Sequence, residues 1–273
     1  MVGDIGDIEK VAVAEIPEGL VEAQATYGGA AGREFIAGLP ALAGRFLARW
    51  ELRRTGPGMH GVAALVLPVE RSDGTPAALK LQPVDEETVG EPVALRAWDG
   101  DGAVRLWEHD AASGAMLLER LDERRPLTAV AERDPREAVA VVAGLLARLT
   151  ATPAPAEVAG EPGDRLLHWD LHYGNVLGGG AGGREEWLAI DPKPLAGDAG
   201  FELLPALVNN FAAGEVRWRF DLLAEVVGLD RERARAWTLG RVLQNCLWEV
   251  QDGEERLPHE QRAVAELLMG RDV

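Results

Sequence analysis

The chain has 273 residues, 47% of them hydrophobic and 27% charged, a length that suggests two lobes and buries a core without disulfides or structural metal. Forty-five acidic residues against 28 basic ones leave a formal charge of −17, a field that repels nucleic acid and draws in a cationic ligand. The single cysteine, Cys246, excludes an internal disulfide and a CxxC knuckle and fits a cytoplasmic protein. The opening MVGDIGDIEK shows no leader pattern, and no apolar run approaches a membrane span of ~20 residues.

Residues 1–31 carry no clear periodicity and are expected to be poorly ordered. From Arg33 to Trp50, apolar residues at Phe35, Ile36, Leu39, Leu42, Phe46 and Leu47 recur at helical spacing, with Pro40 as an interruption. Next come Gly56-Pro-Gly-Met-His-Gly61, the apolar run Val62–Val69, a turn at Ser72–Thr75 and a second run at Ala77–Leu81. Short apolar runs between Gly, Pro and Asp clusters predict an antiparallel meander. Glu86–Trp98, with Val89, Val93, Leu95 and Trp98, reads as a helix, and Pro92 sits awkwardly inside it unless the helix begins near Gly90. Strands are predicted over Ala103–Trp107 and Ala115–Leu121.

Beyond Leu121 helices dominate. Asp134-Pro135 is a start signal for an apolar helix over Arg136–Leu149. A Pro/Ala-rich loop over 152–163 leads into Arg165–Leu177, and Gly178–Gly183 forms the tip of a hairpin that returns through Trp187–Ile190. Further helices are predicted over Phe201–Asn210, Arg219–Val227, Arg231–Asp252 and Glu260–Met269.

The densest polar cluster is His168-Trp-Asp-Leu-His-Tyr-Gly-Asn175, followed at the end of the next apolar strand by Asp191-Pro192-Lys193. The hairpin between them can fold Asp191 back beside the loop. Oxygen donors in this order suit magnesium, while Asp170 can accept a proton from an attacking hydroxyl. A zinc pair of His168 and His172 would need a helix, and Gly174 and Asn175 argue for a loop. Only Ser72 and Ser113 are serines, and neither lies in a G-x-S-x-G elbow, so a serine hydrolase is excluded. Lysine occurs three times against 25 arginines, at Lys10, Lys80 and Lys193.

His168-x-Asp170-Leu171-His172-x-x-Asn175 with Ile190-Asp191 resembles the catalytic and metal-binding motifs of the aminoglycoside phosphotransferase family. Gly100–Leu106, Leu188–Lys193 and Gly200-Phe201-Glu202 are most similar to its streptomycin 6-kinase and hydroxyurea phosphotransferase branch. The resemblance implies an α+β, two-lobed, protein-kinase-like fold. Its small antiparallel N-lobe would span 32–120, with one main helix and the nucleotide site, and its larger, mostly helical C-lobe 121–273.

The resemblance also implies ATP and Mg2+, with Lys80 on the nucleotide phosphates and Glu91 as its helix partner. Glu119 and Leu121 would lie in the adenine-binding hinge, with Asp170 as the base and Asn175 and Asp191 on the metal. The acceptor would be a small cationic molecule, with neither nucleic acid nor membrane as partner. Asp198, Glu202, His172 and Lys193 are candidates for contact with it, and Glu249, Asp252, Glu254 and Glu255 could extend an acidic lining. Two departures stand out. Trp169 occupies a place where the family commonly has glycine, and Glu202 one where aspartate is more usual. His172 and Asp191-Pro192-Lys193 also differ from the protein-kinase pattern and favour a small-molecule kinase.

Overall fold

A computed structural model describes residues 16–158, 160, 162–180, 183–251, 253 and 258–270. The chain divides into two compact units, one of residues 1–89 with 106–120 and the other of 90–105 with 121–273.

The first unit begins with α1 (Glu18–Tyr27) and α2 (Gly29–Arg49). Of the segment expected to lack order, residues 1–15 lie outside the described residues, and the remainder is helical from Glu18 onward. The expectation failed because only Leu20 and Gln24 of α1 are buried, too few apolar positions to leave a periodic stripe. Gly28, between the helices, lies where an added Cβ would meet Gly32 at 2.7 Å, so the corner needs glycine. The second helix runs through Pro40. Burial of Leu39, Ala43, Phe46 and Leu47 offsets the backbone bond that proline cannot donate.

The sheet follows: β1 (Arg53–Arg54), β2 (Met59–His60), β3 (Leu65–Glu70), β4 (Pro76–Leu81), β5 (Leu106–Asp110) and β6 (Ala115–Glu119). Its order is β1-β3-β4-β6-β5, with β2 sharing the β3 edge, and every pairing is antiparallel. Alternation decides the faces. Leu65, Leu67, Val69, Leu79, Leu81, Ala115 and Leu117 form one core with Leu20, Leu39, Phe46 and Leu47 of the helices. Val66, Lys80 and Met116, aligned across three strands, occupy the opposite face.

The second unit holds α3 (Glu91–Trp98), β7 (Asp122–Pro126), α4 (Leu127–Arg133), α5 (Pro135–Leu149), β8 (Arg165–Leu167), β9 (Val176–Gly178), β10 (Trp187–Ala189) and β11 (Leu195–Gly197). It continues with α6 (Leu204–Val208), α7 (Val216–Val227), α8 (Arg231–Gln251) and α9 (His259–Leu268). Asp134 caps α5 by accepting from the Arg136 and Glu137 N–H groups, as its sequence signal predicts. The helices of this unit and the antiparallel sheet of the first give the expected α+β composition.

The boundary expected at residue 120 needs one correction: α3 belongs with the helical unit. Trp98 donates its indole N–H to the Leu149 carbonyl at 3.0 Å, and Val104 N–H donates to Ala189 O at 2.9 Å. Arg148 pairs with both Asp101 and Glu185. The predicted strand over Ala103–Trp107 is split for the same reason. Ala103 bridges to Ala189, and regular pairing in the first sheet begins only at Leu106.

Candidate active site

Two short pairings frame the polar loop. β8 pairs with β11, placing Leu167 opposite Leu195, and β9 pairs with β10, placing Val176 opposite Ala189. The loop over 168–175 leaves β8 and enters β9, while the segment over 190–194 leaves β10 and enters β11. Two backbone bonds close them on each other: Ile190 N–H donates to Asn175 O at 2.9 Å, and Lys193 N–H donates to His168 O at 3.0 Å. Sixteen residues of sequence separation between Asn175 and Asp191 thus become adjacency.

His168 is fully buried and stacks on Trp98 with ring centroids 6.2 Å apart. Its Nδ1 accepts from the Asp170 N–H at 3.3 Å, so Nε2 carries the proton donated to Ile190 O at 3.0 Å. Burial holds its pKa down at about 4, against the pull of Asp170. This ring is a neutral strut between the two segments, and both of its nitrogens are occupied.

Asp170 is half-buried, and Lys193 Nζ lies 3.7 Å from its Oδ2. The Asp170 carbonyl accepts from His172 N–H at 3.0 Å and from Asn175 Nδ2 at 2.9 Å. His172 directs Nδ1 at the Gly174 N–H, 3.0 Å away, and so fixes the turn over Tyr173–Asn175. An added Cβ at Gly174 would approach the His172 ring to 2.8 Å, which explains the glycine.

The donor set fits magnesium. Asn175 spends Nδ2 on the loop backbone, which leaves Oδ1 for a cation. Asp191, at φ 55°, follows the residue bonded to the Asn175 carbonyl and would offer a carboxylate. Among the described residues no group of three or more His, Cys, Asp or Glu side chains could hold a metal. A magnesium ion bound here would have these two protein oxygens and would keep phosphate and water in its other positions, as is usual for that ion.

Two of the four residues proposed to face the acceptor are committed elsewhere. Glu202 is fully buried, and both of its oxygens accept from the Trp169 N–H at 3.0 Å. Burial pushes its pKa up to about 7 against the pull of that N–H and of Arg241. Asp198 caps the turn over Ala199–Glu202 through Gly200 N–H at 2.8 Å and takes Arg233 at 2.5 Å. Lys193 and His172 do lie at the Asp170 loop. Asp252, Glu254 and Glu255 lie outside the described residues.

Lys80 and Glu119 belong to the first unit, on adjacent strands β4 and β6. Lys80 is buried to 4% exposure despite its charge. Glu91 opens α3 with 3% exposure, and Leu121 is buried; both belong to the second unit. The string Gly56–Gly61 forms the approach to β2 and the turn from β2 to β3, closed by Gly61 N–H on Ala64 O at 3.2 Å.

Comparison with known proteins decides the lineage. The model of the aminoglycoside/hydroxyurea antibiotic resistance kinases matches residues 49–159 and 156–253. The chain belongs to this family. Among the resistance kinases it resembles, a hydroxyurea phosphotransferase of Kitasatospora aureofaciens is 62% identical, over 95% of this chain and 87% of that one. A streptomycin 6-kinase of Streptomyces griseus is 48% identical, over 93% and 96%. Among solved structures, a choline/ethanolamine kinase family protein of Mesorhizobium loti covers 87% of this chain and 91% of its own, at TM-score 0.51 and 17% identity. That likeness establishes a shared protein-kinase-like fold.

Sequence reasoning missed one member of this site in the resistance kinase. Arg241, on α8, donates to the Trp169 carbonyl at 2.6 Å across 72 positions. Its sequence neighbours, Gly240 and Val242, carry no chemical signal.

Proposed function

We propose that this small-molecule kinase transfers the γ-phosphoryl group of ATP to a hydroxyl of an aminoglycoside of the streptomycin type. The observation that carries the reading is the Asp170 loop. Its carbonyl is held by Asn175, its amide by His168, and its carboxylate lies beside Lys193. Asp170 would orient the acceptor hydroxyl and take its proton as the oxygen attacks phosphorus in line. Lys193, 3.7 Å from that carboxylate, supplies a positive charge beside the path of the transferred group. Lys80, buried on β4, would steady the nucleotide phosphates, with Glu91 as its partner and Glu119 and Leu121 at the adenine. Asn175 and Asp191 would hold magnesium, which when bound neutralises charge on the phosphoryl oxygens.

The charge of −17 supports a cationic acceptor. A phosphoryl group adds about −1.5 to −2 charge, which would oppose the binding of a cationic antibiotic to an anionic target. Hydroxyurea is the second reading, favoured by the 62% identity to a phosphotransferase named for it. The test is magnesium-dependent ATP consumption with streptomycin, other aminoglycosides and hydroxyurea, with the phosphorylated product identified by mass. Streptomycin phosphate is the expected product. Hydroxyurea phosphate alone would replace the first reading with the second, and ATP bound but unconsumed across the set would overturn both.

A further inference from the structure

Trp169 precedes the proposed base and has φ 67°, the left-handed region that disfavours residues with a Cβ. Such a conformation costs about 1 kcal/mol or more and persists only where the surroundings impose it. Here they do so from both sides. The Trp169 N–H donates to both oxygens of Glu202, and the Trp169 carbonyl accepts from Arg241 Nη2. Arg241 Nη1 donates to the Phe201 carbonyl at 3.0 Å, and the guanidinium lies 5.5 Å from the Trp169 ring centroid and 5.1 Å from that of Phe201. Both side chains are buried, Glu202 completely and Arg241 to 7% exposure. The Arg241 Nε is buried without a hydrogen-bond partner among the described residues.

A buried cation that leaves one donor unsatisfied is a poor device for stability alone. Its geometry is what distinguishes it: a planar fork that reaches two carbonyls of different segments at once, which an ammonium group does not reproduce. We propose that Arg241 is a positioning residue for Asp170, clamping the Trp169 peptide against Glu202 and so tying the base to α8. The inference rests on the reading of Asp170 as the base. In a chain with glycine at 169 the left-handed conformation needs no enforcement. Trp169 and Arg241 therefore work as a pair, the ring providing the surface on which the guanidinium lies. The T-shaped contact of Trp169 with Trp248, at 6.0 Å, adds a second tie to α8.

The experiment uses the full chain and the variants Arg241→Met, Arg241→Lys and the double variant Arg241→Met/Trp169→Gly. Hydrogen exchange of the 166–176 segment is read by mass spectrometry alongside kcat and KM. Both single variants are expected to exchange at least about tenfold faster in that segment, with the 135–149 segment unchanged. Their kcat should fall by roughly 10- to 100-fold at a KM for ATP within about twofold of the parent. The double variant should recover a substantial part of kcat, because glycine adopts the required conformation unaided. Unchanged exchange in Arg241→Met, or faster exchange throughout the chain without recovery by glycine, would overturn the proposal. Asp170→Asn, run in parallel, separates the two layers. Full activity in that variant removes the base assignment itself, whereas its inactivity beside a fully active Arg241→Met removes only the clamp.

Discussion

At the scale of single residues, the loop depends on a buried histidine that links two segments. His168 must remain neutral to accept from Asp170 N–H and donate to Ile190 O. Its folded pKa of about 4 lies below the ordinary 6.5, so protons bind more readily to the unfolded chain. The stability this residue contributes is complete above pH 6.5 and is lost as pH falls toward 4. Relative to His168→Gln, the parent should lose about 2 kcal/mol between pH 7 and pH 5, read from urea unfolding at each pH. A constant difference would show that the ring is not held neutral. The placement of neighbouring residues is legible in the sequence to different degrees, for a physical reason. Asp170, Asn175 and Asp191 are bound by local order and a hairpin, which spacing reveals. Glu202 is a carboxyl side chain eleven positions beyond Asp191, yet the turn over Ala199–Glu202 sends it to a fully buried place against the Trp169 N–H. Direction of that kind depends on backbone angles that residue type does not encode.

At the scale of elements, α3 shows how single polar bonds assign a helix to its unit. The Trp98 indole donates to the Leu149 carbonyl at the end of α5, and its ring covers His168. Trp98→Phe retains a ring but removes the indole bond and leaves the Leu149 carbonyl to the Thr152 N–H at 3.2 Å, so a loss of about 1 kcal/mol is expected in urea unfolding. A loss below about 0.5 kcal/mol would show that the bond contributes little. Elements with strong periodicity or explicit caps, such as α5 behind Asp134-Pro135 and the β3 and β4 pair, were legible in the sequence. The pairing of β8 with β11 was not, because three-residue strands almost 30 positions apart leave no alternating pattern. The first helix was equally silent. It covers its unit with Leu20 and Gln24, and Gln24 donates to Ala63 O at 3.4 Å instead of adding to an apolar stripe.

At the scale of the whole molecule, the charge of −17 belongs to no single contact and acts through the field around the chain. With ATP saturating, the KM for a cationic aminoglycoside should rise by about threefold or more as salt shortens the screening length from ~30 Å to below ~8 Å. The KM for neutral hydroxyurea should stay flat. An aminoglycoside KM insensitive to salt would show that the net charge does not steer the acceptor. Membership of the resistance kinase family and the kinase-like fold set the frame, and no helix among the described residues is long and apolar enough to cross a membrane. The central claim is that one carboxylate on the 168–175 loop prepares the acceptor for attack. Its most direct test is the comparison of parent and Asp170→Asn for ATP affinity by calorimetry and for phosphorylated product. The expected result is ATP affinity within about threefold of the parent with turnover reduced at least about 100-fold; undiminished turnover in Asp170→Asn would contradict the assignment.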